Sequence, residues 1–215
     1  MAPALPACPS GFAALDAELP GGGWPAAGLT ELLLREAGSG ELRLLAPALQ
    51  QLAEGSRELV WVAPPHPPYA PAVQALGLPL ERLVWLQPAG EADAAWAAEQ
   101  VLHSASAAAV LWWSRESPPT TLRRLHLAAQ DGCTPLFALR PAGCRSQSSP
   151  APLRVALEPA PAGCIRVEPF KRRGPALAQA LVLSLADRPQ PALSPPRSLV
   201  LADVVAGPAP ALVAA

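Results

Sequence analysis

Short, unbroken apolar runs recur about every 25 residues along most of this chain, and few patterns narrow the choice of fold so far. The runs are Leu29–Leu34, Glu58–Ala63, Leu83–Leu86, Ala109–Trp113 and Pro135–Leu139. Turn formers or prolines close several of them, as at Ala37-Gly38-Ser39-Gly40, Pro64-Pro65 and Pro118-Pro119. Helical spacing fills most of the gaps. Leu42, Leu45, Ala46, Leu49, Leu52 and Ala53 share one helix face, Ala94, Ala98, Val101, Leu102 and Ala105 share another, and Thr120–Gln130 is a third helix. A run without alternation suits a strand covered on both faces, as in a parallel sheet. The chain therefore reads as α/β, a mostly parallel, doubly wound sheet flanked by helices.

After Arg140 the pattern changes. Residues 141–152 form a polar loop, and Leu153–Glu158 and Ile165–Glu168 alternate apolar with polar residues, which predicts a C-terminal β-hairpin with one wet face. A short apolar helix is expected over Ala176–Leu185. Residues 1–187 then read as one domain. Residues 188–215 carry six of the chain's 29 prolines and read as an extended Pro/Ala-rich tail. Leu199, Val200, Leu201, Val204 and Val205 form an apolar island in that tail, a candidate docking segment that orders on binding.

Composition removes several classes. No apolar stretch approaches the roughly 20 residues of a membrane helix, and the first seven residues lack the charged and apolar regions of a signal peptide. Four cysteines without a C-x-x-C pair and three scattered histidines predict no metal site. The expectation is a cytoplasmic, reduced protein.

The strand, glycine loop and helix over Leu29–Ala53 have the topology of a phosphate-binding loop. Such a loop needs glycines to bring backbone N–H groups to the phosphates, a lysine to reach them and a hydroxyl for magnesium. Here Gly38, Ser39 and Gly40 are followed by Glu41 in the lysine position and Leu42 in the hydroxyl position. The chain's one lysine, Lys171, is followed by Arg172, so no G-K-[ST] exists anywhere. Trp113 stands where a hydrolase ends a strand in a magnesium-binding Asp, and the loop near His66 offers no carboxylate to activate water. The segment reads as a plain strand–helix turn, with no cofactor and no catalytic residue. His66, His103 and His126 read as structural, and Ser10 and Ser114 lack a nucleophile-elbow setting.

Charge is uneven. The net charge is −1, yet Thr134–Pro175 carries seven basic and two acidic residues. Arg166, Lys171, Arg172 and Arg173 are the candidate contacts to DNA or to an acidic partner; a solvated hairpin face is the other reading.

Cys8-Pro9-Ser10-Gly11 through Leu15-Asp16, then Gly21-Gly22-Gly23-Trp24-Pro25 and Gly28-Leu29-Thr30-Glu31-Leu32, resemble the approach to a RecA-type core. Phe137–Arg140 and Val167–Pro175 extend the likeness. With its degenerate loop and Lys-Arg-Arg-Gly ending, the chain is similar to the ImuA family of translesion-synthesis-associated RecA-like proteins. That resemblance implies a RecA-like core and a non-catalytic adaptor of SOS-induced, error-prone DNA synthesis, nucleoid-associated when active. The partners it implies are ImuB (an inactive Y-family polymerase relative) and an error-prone C-family polymerase subunit, with RecA, DNA and self-association as further contacts. The second resemblance is to SulA-type cell-division inhibitors, shortened RecA-like relatives that bind the tubulin-like division protein. These are usually shorter, with a less complete glycine approach and a shorter tail, so the first is preferred.

Overall fold

A computed structural model describes residues 6–174 and 179–185. The elements follow in chain order. They are β1 (Ala7–Cys8), α1 (Ala13–Asp16), β2 (Trp24–Pro25), β3 (Gly28–Leu34), α2 (Glu41–Leu52), β4 (Glu58–Val62), α3 (Ala70–Ala75) and β5 (Leu83–Leu86). Then come α4 (Glu91–Ser104), β6 (Ala107–Trp113), α5 (Pro119–Asp131), β7 (Pro135–Pro141), β8 (Leu153–Ala160), β9 (Cys164–Lys171) and β10 (Leu181–Ser184).

The main sheet has eight strands in the order β10-β9-β8-β3-β7-β6-β4-β5. The six from β8 to β5 pair in parallel, while β9 and β10 each pair antiparallel to the neighbour before them. Every residue of β3 is buried, because β3 has strands on both sides and a layer on both faces. One layer holds α2, through Leu44, Leu45 and Leu49, together with Trp24. The other holds α4 and α5, where Ala94, Ala98, Leu122 and Leu125 cover Val110 and Trp112 of β6. The protein is thus mixed α/β, with a mostly parallel sheet flanked by helices.

The five apolar runs are β3 to β7, and the alternating segments are the β8–β9 hairpin. One expectation fails. Within 179–185 the chain is strand, with Leu181 paired to Val167 and Leu183 to Ile165, so the helix expected up to Leu185 is replaced by β10. Leu183 is buried and Val182 exposed, a two-residue alternation that the free edge of β9 enforces. The tail from 188 and its island Leu199–Val205 lie outside the described residues.

His126 ties α5 to the start of the central strand. Its Nδ1 accepts a hydrogen bond from the Leu29 N–H at 3.1 Å, so the neutral ring carries its proton on Nε2. Burial, followed by the charge of Lys171, holds this imidazole below its ordinary range. The folded state therefore favours the neutral ring, and the stability it gains is complete above about pH 6.5 and lost as pH falls below that. The urea midpoint should be lower at pH 5.5 than at pH 7.5. His126→Gln should shrink that difference; an unchanged difference refutes the assignment.

Candidate functional site

In open α/β sheets, ligands bind beyond the carboxyl ends of the strands, where loops diverge to opposite faces. This chain has a cleft of about 560 Å³ there. Arg35 and Glu36 line it after β3, Pro64 and Pro65 after β4, Pro88–Glu91 after β5, and Trp113–Arg115 after β6. Glu91, the first residue of α4, braces the far wall: it accepts from the Ser114 hydroxyl at 3.1 Å and from the Arg115 N–H at 2.8 Å. Trp113 lies against Trp61 with ring centroids 5.7 Å apart, so the position that would need a magnesium-binding carboxylate is an aromatic wall.

The glycine loop sits beside this cleft in a closed form. Gly40 has φ of 111°, a conformation that favours glycine, and a side chain there would push on Leu185 Cδ1 at 2.7 Å. Glu41 is 3% exposed, and its Oε1 accepts from the Gly38 N–H at 2.7 Å. The Ser39 hydroxyl donates to the Glu36 carbonyl, and Leu42 packs half-buried on the core.

The basic stretch is largely matched within the fold. Arg166 pairs with Glu158 across the hairpin at 3.8 Å. Arg172 donates to the Glu18 carboxylate at 3.0 Å and to the Glu18 carbonyl. Lys171 donates to the Ser149 carbonyl at 2.7 Å, and burial pulls its ammonium below the usual lysine range. Arg173 is exposed. Arg145 bridges Glu168, and the hydrogen bonds between them hold that carboxyl below the usual range.

Arg140 and Arg154 are inside. Arg140 Nη1 donates to Glu31 Oε1 at 2.6 Å, and Arg154 Nε donates to the other Glu31 oxygen. The three come from adjacent strands β7, β3 and β8, and neither Glu31 nor Arg140 has exposed side-chain surface. The outer N–H groups of the two arginines hold the carbonyls of Ser117, Cys144, Arg145 and Gln147. The sequence reading missed this cluster, although its signal was present: a lone acid within a leucine-rich run must find a buried partner.

Among the described residues, no group of three or more His, Cys, Asp or Glu side chains could hold a metal ion, and no helix is long and apolar enough to cross a membrane.

The model of the family "Cell division inhibitor SulA" matches residues 28–135, half of the chain, from the start of β3 to the start of β7. The chain belongs to the SulA family. SulA of Edwardsiella piscicida is 38% identical over 92 residues, covering 41% of this chain and 53% of that protein. SulA of Pectobacterium carotovorum is 39% identical over 99 residues, covering 46% and 59%. SulA of Serratia marcescens is 30% identical over 113 residues, covering 53% and 67%. The chain thus spans little more than half the length of the first two relatives. The crystal structure of SulA from Pseudomonas aeruginosa is 28% identical and covers 52% of this chain and 96% of that one, with a TM-score of 0.45.

Membership in the SulA family corrects the preferred resemblance. The ImuA assignment falls, and with it translesion synthesis and the partners ImuB, the C-family polymerase subunit, RecA and DNA. Of the two segments that carry the ImuA resemblance most specifically, Lys171–Pro175 lies outside the matched residues and Gly21–Glu31 reaches into them at Gly28; much of what they hold among the described residues packs inside the fold. A side chain on Gly23 would meet the Cys8 carbonyl oxygen at 2.2 Å, Trp24 is fully buried, and Arg172 is engaged by Glu18. The matched family is described as one of cell-division inhibitors, and Glu41 and Leu42 stand where a phosphate loop has its lysine and hydroxyl.

Proposed function

We propose that this chain is a cell-division inhibitor that acts in the bacterial cytoplasm by binding the tubulin-like division protein, without chemistry of its own. The observation that carries the reading is the SulA match across β3 to β7. The scaffold is read as a degenerate RecA-like core, since a buried central strand runs through a glycine loop into α2 and the loop has lost its lysine. Within the matched residues, Tyr69 is 71% exposed and Trp96 is 58% exposed. Tyr69 follows the Pro64-Pro65 wall of the cleft, and Trp96 lies on α4, whose first turn forms another wall. Exposed aromatics are the side chains that most often dominate binding at interfaces. We assign the partner contact to this carboxyl-edge surface, with Arg166 as its outlying cation; Lys171 lies at the opposite end of the sheet, across from Arg154 at the start of β8, and Arg172 serves the fold by holding Glu18.

Expression of the chain in a rod-shaped bacterium should give filamentous cells. The double variant Tyr69→Ala, Trp96→Ala should melt like the wild type, because both side chains are exposed, yet bind the division protein at least about 10-fold more weakly and leave cell length normal. Normal cells containing folded wild-type protein would refute the function. Filaments from the folded double variant would refute the surface.

A further inference from the structure

The side chain that disqualifies the glycine loop as a nucleotide site also does the work of the missing ligand. Gly38 and Gly40 have φ of 83° and 111°, and Gly40 is the N-cap of the 12-residue helix α2. The positive end of such a helix favours an anion. The Glu41 carboxylate is placed there by the chain itself, with Oε1 2.7 Å from the Gly38 nitrogen. A second observation points the same way: Oε2 is buried and has no hydrogen-bond partner. A buried carboxylate oxygen without a donor is costly, and the positive end of α2 is what offsets that cost here. Leu185 and Ile165 lie against Gly40.

We propose that Glu41 is an internal oxyanion occupying the phosphate loop, so that the loop is a latent site for small oxyanions which the chain keeps filled with its own side chain. The loop and α2 then hold their ordered form without nucleotide, and any binding function of the fold is independent of ATP. The inference does not rest on the inhibitor reading, and its test does not involve the division protein.

Glu41→Ala empties the site. Its melting temperature should fall by about 2–4 °C, the effect of losing one helix-terminal acceptor in a chain of this size. Excess sodium formate or inorganic phosphate, against sodium chloride at equal ionic strength, should restore that loss in the variant. Neither anion should move the wild type, and ATP should stabilise neither protein. The idea is overturned if formate and phosphate leave the variant unchanged, if they raise both proteins equally, or if ATP stabilises the wild type. The intact chain offers a second test, should the variant not fold. The Gly38 amide of the intact chain should exchange slowly, as an amide held by the Glu41 carboxylate does. A Gly38 amide that exchanges like a free loop amide sinks the proposal.

Discussion

Glu31→Ala should cost about 3–5 kcal/mol, the expected penalty for leaving one side of a buried ion cluster uncompensated. Glu31 lies at the centre of the central strand, and its two oxygens are shared between Arg140 and Arg154. Without it, two guanidinium groups with at most 6% exposed side-chain surface face each other across the strand. Neither can reach water without disrupting β7 or β8. Urea denaturation should show a lower midpoint with an unchanged slope, and a loss below about 1 kcal/mol would contradict the cluster's role. The triple replacement Glu31→Leu, Arg140→Met, Arg154→Leu removes all the charge and should recover much of the loss, as apolar substitutes for buried ion clusters do elsewhere. It should not recover everything, because Arg154 also holds the carbonyls of Cys144, Arg145 and Gln147, and Arg140 that of Ser117. Amide exchange over residues 142–149 should quicken in the triple variant even where global stability returns.

Trp24→Ala should be almost as damaging, at about 3–5 kcal/mol for an emptied core site of this size. The indole is fully buried and stands edge-on to Phe137 of β7, with centroids 5.8 Å apart. It therefore fastens the short β1–β2 ribbon to the main sheet, and Gly23 lets the chain pass close enough to Cys8 to insert it. The indole Nε1 has no hydrogen-bond partner. Trp24→Phe, which removes that donor and keeps a ring, should cost less than about 1.5 kcal/mol. Equal losses for the two variants would mean that packing against Phe137 is not what the tryptophan contributes.

The parallel core was legible because its strands are continuous apolar runs, and a run covered on both faces leaves no other pattern. The β10 segment was not, because four residues cannot separate a strand from a helix turn, and the pairing partner Val167–Cys164 decides the matter from elsewhere in the chain. Glu31 announced itself as an acid in an apolar run, but its partners lie 109 and 123 residues away, a distance no local spacing bridges. The loop was legible as degenerate from Glu41 and Leu42. What Glu41 does was not, since the charge that repels a phosphate from outside replaces it once the backbone folds the side chain inward. The basic stretch was legible as a cluster of cations but not as a set of pairs: a count of cations does not show which carboxylates they have already met.

The position of β3 in the sheet sets a schedule for synthesis. Residues 28–34 are made early, but the strands that cover their two edges are residues 135–141 and 153–160. At the usual pace of translation, the first of these neighbours appears about 5–20 seconds later. Throughout that interval a leucine-rich strand has left the ribosome with both of its hydrogen-bonding edges open. Such non-local pairing slows folding and exposes an aggregation-prone segment. The yield of folded protein should therefore depend on what shields residues 28–34 during that wait as well as on the stability of the finished sheet.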